Sequence, residues 1–221
     1  MAEPRVYLAG PMVFLPEPGG IFTRMKEICA DHGLSGLAPL DNQVGLEGLP
    51  AGPDLIRRIV QADIELMRSV DAGVFCLDGF RRGPEMDPGT AFEIGFMQAL
   101  GRPLAGWTSD PRPYPTKVRD YFLKVFGQKL TEAVPGAVGG TSGVERDPDG
   151  MLVHSEGCVQ NAMVHIGIEL SGGIVAVDTN WERAFAGAIA RLAVVLEGRH
   201  GSENTDHQGQ QPYPAASRAN G

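Results

Sequence analysis

Apolar and polar positions along this chain follow two alternating patterns: short apolar runs, and longer stretches in which apolar residues recur every three or four positions. Short runs predict buried strands, whereas the longer spacing predicts helices that bury one face. We predict strands at five places: Arg5–Ala9, Leu37–Leu40, Ala72–Leu77, Pro103–Trp107 and Ile174–Val177. Glycine or proline lies next to several of these runs, as is typical of strand ends.

Stretches with helical spacing separate the predicted strands. They cover Ile21–His32, Leu55–Ser69, the segment from Thr90 to Gly101, Cys158–Leu170 and Trp181–Glu197. Because strands and helices alternate, the sequence predicts an α/β fold: an open parallel sheet of about five strands with helices on both faces, flavodoxin-like or Rossmann-like.

The helix Leu55–Ser69 is predicted to bury one apolar face. Asp54 precedes it and is expected to be its N-cap. Its buried stripe is predicted to consist of Ile56, Ile59, Val60, Ile64 and Met67.

We expect a single domain over residues 1–198, with an insertion at about 108–153. The insertion contains an amphipathic segment, Lys117–Phe126, and a Gly-rich stretch, Pro135–Gly140, which is typical of a mobile loop. Residues 199–221 are polar and are expected to form a disordered tail.

Composition restricts the function. With 221 residues, the chain is long enough to bury a full core. Its formal net charge of −8 argues against binding to nucleic-acid phosphates, because such proteins carry many Lys and Arg residues. The cysteines Cys29, Cys76 and Cys158 have no metal-binding spacing, so we expect buried, reduced thiols. There is no secretory signal pattern and no apolar run of membrane-spanning length, so we expect a soluble, cytoplasmic protein.

The segment from Asp87 to Gly95 is the best candidate for chemistry. It places two carboxylates, Asp87 and Glu93, around a turn that follows a buried strand and opens a helix. In α/β proteins, ligands bind at the carboxyl ends of strands. The ordinary structural explanation is that Thr90 and Glu93 form a capping box, a common motif at helix starts, and that Asp87 is an N-cap.

Several familiar signatures are missing from the sequence. There is no P-loop and no GxGxxG after the first strand, so nucleoside triphosphate hydrolysis and dinucleotide binding are disfavoured. No metal-binding motif is found, and we expect neither a metal nor a cofactor. His154 and His165 are given no role, because lone histidines are usually structural.

Five segments together resemble the nucleoside 2-deoxyribosyltransferase family, and they occur in the order found in that family. They are Val6–Pro11, Pro39–Gln43, Asp71 at the start of a strand, Asp87–Gly95 and Asn161–Met163. Each segment is short, but the five together span residues 5 to about 170. Asp87 and Glu93 also have the six-residue separation of the family.

The resemblance implies a retaining transfer of 2-deoxyribose between nucleobases by double displacement. Glu93 would be the nucleophile that forms a covalent deoxyribosyl-enzyme, Asp87 the general acid, and Tyr7 the residue that orients the nucleophile. Asp71 would bind the base or help to protonate it. Without the resemblance, Asp71 could equally be a solvated residue at a strand start, and Tyr7 a core aromatic residue.

The same resemblance implies the substrate contacts. Gln43 would contact the base, Phe14 is our choice for stacking on it, and Gly10 at the end of the first strand would also bind substrate. Asn161 would contact sugar hydroxyls from a neighbouring subunit, so we expect a homo-oligomer with a shared site. The expected partners are deoxyribonucleosides, preferred over ribonucleosides, and free nucleobases, with neither nucleic acid nor membrane.

Two other functions are considered. A related hydrolase cleaves the N-glycosidic bond of 2'-deoxynucleoside 5'-monophosphates and would need a phosphate cradle, for which Arg81 and Arg82 are candidates. The other function is a non-catalytic nucleoside- or nucleotide-binding module, in which Glu93 only caps a helix.

Overall fold

The protein is described by a computed structural model that covers residues 3–43, 45–46, 48–132, 144–155 and 157–206, with side chains described up to residue 199. The strands are β1 Arg5–Ala9, β2 Ser35–Leu37, β3 Ala72–Cys76, β4 Leu104–Thr108, β5 Thr131–Glu132, β6 Glu145–Arg146, β7 Leu152–Val153 and β8 Val175–Val177. The helices are α1 Pro18–Asp31, α2 Pro53–Ser69, α3 Pro88–Ala99, α4 Tyr114–Phe126, α5 Ala162–Leu170 and α6 Trp181–Asp206.

Five strands form the central sheet in the order β2-β1-β3-β4-β8, and all neighbours are parallel. This is the flavodoxin-like order, in which the direction of winding reverses between β1 and β3. The predicted fold class is therefore confirmed. The reversal leaves a crevice at the carboxyl ends of these two strands, because the chain leaves them in opposite directions.

Each face of the sheet is covered by its own layer of helices. Val6 and Leu8 pack with residues of α1 and α6 in one core, and Tyr7 and Ala9 pack with α2, α3 and α5 in the other. This division follows from the strand geometry, since successive side chains point to opposite faces. Tyr7 therefore faces the helix layer that contains Glu93.

Two predicted boundaries near the second strand are corrected. β2 is Ser35–Leu37 rather than Leu37–Leu40, and Pro39 begins a short 3-10 turn, Pro39–Asn42. Proline has no N–H to donate to a strand ladder, which explains why the strand ends before it.

The predicted stripe of α2 is partly wrong, because Ile56 is 58% exposed and Val60 is 47% exposed. Met67 is buried as predicted, and Leu66 beside it also belongs to the core. The N-cap of α2 is Gly52 rather than Asp54, because the helix begins at Pro53. The apolar face of α2 thus reaches beyond the core.

The insertion contains more regular structure than predicted. α4 begins at Tyr114 instead of Lys117, and β5, β6 and β7 form a small antiparallel sheet. The Arg119 guanidinium on α4 pairs with Glu145 on β6, with a nitrogen–oxygen distance of 2.5 Å. The Gly-rich stretch Pro135–Gly140 lies outside the described residues.

Two late helices also differ from prediction. α5 begins at Ala162 rather than Cys158, because the Asn161 side chain caps it by accepting from the Met163 N–H at 3.0 Å. α6 continues to Asp206 instead of ending at Glu197, so the backbone of residues 198–206 is helical rather than disordered. The rest of the predicted tail, 207–221, lies outside the described residues, and the domain limits stay a prediction.

The three cysteines are buried thiols, as predicted. Within the described parts of the chain, no helix is both long enough and apolar enough to cross a membrane.

A close approach between Gly173 and the backbone of β4 generates a stability prediction. A Cβ added at Gly173, just before β8, would lie 1.5 Å from the Leu104 carbonyl oxygen in β4. Gly173→Ala should therefore lower the free energy of unfolding by at least about 1–3 kcal/mol, the usual range for overpacking, as measured by urea denaturation. The matched control is Gly198→Ala in α6, where a Cβ meets nothing within 4 Å. The control should gain about 0.5–1 kcal/mol from reduced backbone entropy. Unchanged stability of Gly173→Ala would contradict the packing described here.

Candidate active site

A cavity of about 400 Å³ opens at the carboxyl ends of β1 and β2, between α2 and α3. It lies on the side of the sheet where the winding direction reverses, the usual ligand position in this type of fold. Five of the predicted site residues line it: Gly10, Phe14, Gln43, Asp87 and Glu93. The structure therefore brings together residues that are up to 83 positions apart in the sequence.

The Glu93 carboxylate is held by Tyr7. The Tyr7 hydroxyl donates a hydrogen bond of 2.6 Å to Glu93 Oε1. Tyr7 has no exposed surface, so the sheet and the helix layer formed by α2, α3 and α5 fix its ring. Glu93 Oε2 is the oxygen that this bond leaves available.

Burial is the main influence on the Glu93 carboxyl, and it raises the pKa to about 7. The hydrogen bond from Tyr7 acts in the opposite direction, because it stabilises the anion. The nearby carboxyl groups of Asp63 and Asp87 raise the pKa further by like-charge repulsion. Glu93 thus changes its charge near neutral pH. Burial also raises the pKa of the Tyr7 hydroxyl, as does Glu93, so Tyr7 acts as a donor.

The start of α3 decides whether the acids of the segment Asp87–Gly95 are helix caps or site residues. Asp87 is the N-cap: its Oδ2 accepts hydrogen bonds from the Thr90 N–H at 2.8 Å and from the Thr90 hydroxyl at 2.9 Å. Glu93 is the sixth residue of α3 and does not belong to a capping box. The structural explanation therefore holds for Asp87, which also lines the cavity, but is wrong for Glu93.

Asp63 on α2 is a third cavity carboxylate, which the sequence reasoning missed. Burial raises its pKa to about 6, and a hydrogen bond with the Gln43 side chain opposes this shift. Its Oδ1 is buried and has no hydrogen-bond partner within the described part of the chain. A carboxyl group in this environment is suited to holding and releasing a proton near neutral pH.

The sequence did contain a signal for Asp63. It lies among the apolar residues Ile59, Val60, Ile64 and Met67 of α2, all of which line the same cavity. A single acid within an apolar helix stripe is unusual, because a buried charge is unfavourable unless it has a partner or a function.

Asp71, predicted to act on the base, does not lie with the other site residues. It precedes β3, and its Oδ2 accepts a hydrogen bond from the Arg5 N–H at the start of β1, at 2.7 Å. Both positions belong to the amino-terminal edge of the sheet, whereas the cavity is at the carboxyl edge. The prediction for Asp71 is therefore corrected: it joins two strand starts, and Asp63 is the acid near the cavity.

Gly10 allows the chain to turn closely at the end of β1. Its φ is +156°, and an added Cβ would lie 2.6 Å from Cys76 Cβ and 2.7 Å from Met12 Cε. The turn leads to Phe14, which is 62% exposed and contacts the Phe80 ring with a centroid distance of 5.6 Å. Phe14 thus presents an aromatic face at the edge of the cavity.

Asn161 does not line this cavity. It is exposed, and its side chain caps α5, which packs against α3. A single chain therefore does not bring Asn161 to the other site residues.

Comparisons with known proteins agree with this geometry. A family model described as nucleoside 2-deoxyribosyltransferase matches residues 6–163, a span that includes all the site residues named above. An uncharacterized protein of Schizosaccharomyces pombe is 48% identical over 197 residues, which cover 89% of this chain and 92% of that protein.

Two solved structures are similar in fold. A 2-deoxyribosyltransferase from Leishmania mexicana is 26% identical and has a TM-score of 0.54, with 84% of this chain and 97% of that chain covered. A conserved protein from Enterococcus faecalis V583 is 20% identical and has a TM-score of 0.50, with 85% and 98% covered. The latter similarity concerns the fold alone.

The raised pKa of Glu93 predicts a pH-dependent stability. The ordinary pKa of this carboxyl is 4.5 and that in the folded protein is about 7, so the folded state retains a proton that the unfolded state releases between these values. Stability conferred by this group therefore falls as the pH rises from about 4.5 to about 7. Glu93→Gln cannot ionise, so it should be more stable than the unaltered protein at pH 8, by up to about 3 kcal/mol, and should lose this advantage at pH 4.5.

Urea denaturation at the two pH values measures the effect. The control is Glu65→Gln on the same layer of helices, where an exposed carboxylate is replaced and stability should change by less than about 0.5 kcal/mol at either pH. Equal stability of Glu93→Gln and the unaltered protein at pH 8 would show that the surroundings of Glu93 do not raise its pKa.

Proposed function

Because this chain belongs to the nucleoside 2-deoxyribosyltransferase family, we propose that it transfers 2-deoxyribose from one nucleobase to another through a covalent deoxyribosyl-Glu93 intermediate. The observation that carries this proposal is the hydrogen bond of 2.6 Å between the buried Tyr7 and the half-buried Glu93 at the cavity. Such a carboxylate is poorly solvated and fixed in direction, as a nucleophile toward an anomeric carbon must be.

In the first half-reaction, Glu93 Oε2 attacks C1' of a 2'-deoxyribonucleoside. A C1'–O bond forms, the C1'–N bond breaks, and the electron pair of that bond leaves with the base. Asp63 supplies a proton to the departing base, since its raised pKa of about 6 keeps part of it protonated near neutral pH. Tyr7 keeps its hydrogen bond on Oε1 and directs Oε2 toward the sugar.

The second half-reaction reverses these steps with a different base. A nitrogen of the acceptor base attacks C1', the C1'–O bond to Glu93 breaks, and the Asp63 carboxylate takes the proton from that nitrogen. Two inversions at C1' give retention of configuration. Gln43 is hydrogen-bonded to Asp63, and we propose that it contacts the base, while Phe14 stacks on it.

Asp87 has a different task in this scheme from the general acid of the sequence prediction. Its Oδ2 already accepts two hydrogen bonds from Thr90, so Asp87 is arranged as an acceptor, and we propose that it accepts from a sugar hydroxyl. The position of Asp87 also argues against hydrolysis of nucleoside 5'-monophosphates as the function. Its carboxylate occupies the amino terminus of α3, where a phosphate would otherwise be favoured, and would repel a second anion.

The cavity walls support transfer over hydrolysis and over simple binding. Val13, Phe14, Ile59, Val60 and Phe92 give the cavity a largely apolar lining, which favours a flat base over water as the second reactant. A binding module would gain nothing from Glu93, because burial of that carboxyl is unfavourable and it caps no helix end.

Assembly of several subunits is part of the proposal. Apolar side chains are exposed on three helices of the same layer: Ile56 and Val60 on α2, Phe92 on α3, and Met163 and Leu170 on α5. A second copy that covered this surface would close the open side of the cavity. We propose that it also contributes Asn161 to a sugar hydroxyl.

The first experiment tests the chemistry. With deoxyinosine as donor and adenine as acceptor, chromatography should show deoxyadenosine only when adenine is present. Glu93→Gln should reduce turnover at least about 10³-fold, because it removes the nucleophile, and Asp63→Asn about 10²–10⁴-fold, because it removes a general acid. Mass spectrometry of the unaltered protein with donor alone should detect a deoxyribosyl group on Glu93.

Far-UV circular dichroism of both variants controls for folding, and Glu65→Gln should keep full activity. Full activity of Glu93→Gln would refute the proposed mechanism. Release of base without transfer, or reaction only with 5'-monophosphates, would instead identify a hydrolase.

Mixing of two inactive variants tests the shared site. Glu93→Gln and Asn161→Ala alter different parts of the same site, so each should be inactive by itself. If the parts come from different subunits, exchange of subunits creates some intact sites, and the mixture should regain part of the activity. A mixture as inactive as its components, despite exchange shown by native mass spectrometry, would place the whole site within one chain.

A further inference from the structure

A second, basic cavity lies between α4 and the loop that follows β3. It has a volume of about 190 Å³ and shares no lining residue with the candidate active site. Its described lining includes four cations, Arg82, Arg112, Lys117 and Lys124, and two acids, Asp110 and Asp120. This excess of positive charge is local, because the chain as a whole has a net charge of −8.

Lys117 is the innermost cation. It is only 4% exposed, and its Nζ donates a hydrogen bond of 2.8 Å to the Val159 carbonyl oxygen. Burial lowers the pKa of this ammonium group, although the carboxylates of Asp110 and Asp78 partly compensate. An ammonium group has three N–H donors, so Lys117 can donate further hydrogen bonds into the cavity.

Arg112 forms salt bridges with both acids of the lining. Its Nη2 is 2.6 Å from Asp110 Oδ2, and its Nη1 is 2.6 Å from Asp120 Oδ2. Lys124 is 3.9 Å from the same oxygen of Asp120 and is mostly exposed. The negative charge of the lining therefore serves mainly to hold Arg112.

Arg82 is an exposed residue of the lining. Among the residues that the structure describes, no side chain forms a hydrogen bond or an ion pair with it. Arg81 and Arg82 also both have positive φ angles, +49° and +66°, which residues with a Cβ rarely adopt. This unusual turn points to a constraint on where the arginine is held.

We propose that this cavity binds a phosphate group, either as inorganic phosphate or as the phosphate of a monoester. Arg82, Lys117 and Lys124 would supply charge-assisted hydrogen bonds to its oxygens. The volume limits the size of the ligand, because sites for drug-sized molecules measure roughly 300–1,000 Å³ and this cavity of about 190 Å³ is smaller. The remainder of a monoester would extend outside.

Isothermal titration calorimetry of the full chain with inorganic phosphate, at constant ionic strength maintained with potassium chloride, tests this proposal. We expect saturable binding that Arg82→Gln weakens at least about tenfold, because one charge-assisted contact is lost. Arg57→Gln, which removes an exposed arginine on α2, should leave the affinity unchanged. Absence of saturable binding, or equal affinity in Arg82→Gln, would overturn the proposal.

Two further measurements complete the test. Lys124→Gln should also weaken phosphate binding, and this variant leaves the buried Lys117 unchanged, so the fold is preserved. Glycerol phosphate distinguishes the sources: tighter binding than that of inorganic phosphate would identify a monoester as the ligand, and equal or weaker binding would identify the free anion. Saturating deoxyadenosine should not displace phosphate. Displacement would assign the binding to the nucleoside cavity and refute a separate site, whether or not the protein proves to be a transferase.

Discussion

The hydrogen bond between Tyr7 and Glu93 connects the central sheet to helix α3, and the geometry of the candidate site depends on it. Tyr7 is fully buried in β1, so its hydroxyl has one fixed position. Glu93 is held against that position although burial disfavours its charge. A bond of this kind gives the carboxylate direction at some expense of stability, which is expected where a reactive group must be oriented.

The remainder of the site follows from the parallel sheet. Because the winding reverses between β1 and β3, the segments after β1, β2 and β3 all approach one crevice. Gly10, Gln43 and Asp87 lie on these three segments, and Asp63 approaches from α2. Three carboxyl groups thus share a small volume. Burial raises the pKa values of Glu93 and Asp63 toward neutrality, and repulsion by the other two carboxyl groups adds to the shift of Glu93. Such values suit a nucleophile and a proton donor.

The apolar face of α2 has two functions that its sequence does not distinguish. Its end, at Leu66 and Met67, packs in the core, whereas Ile56 and Val60 remain exposed. Ile59 and Val60 also line the cavity. Helical periodicity shows that a face is apolar, but not whether a sheet, a ligand or another subunit covers it. The incorrect stripe prediction for α2 therefore marks a place where the fold leaves apolar surface available.

The sequence by itself determined the α/β fold, the crevice at the strand ends, and the segment that carries Asp87 and Glu93, because local periodicity and turn residues act over short distances. The sequence offered Asp87 as an N-cap and the resemblance offered Tyr7 as the partner of Glu93, and the tertiary structure showed that both contacts exist. The tertiary structure alone placed Asp63 rather than Asp71 near the cavity. These facts depend on which edge of the sheet a residue occupies and on how deeply it is buried. Both are set by packing between distant segments, whereas a local pattern such as the single acid in the apolar stripe of α2 marks only an unusual position.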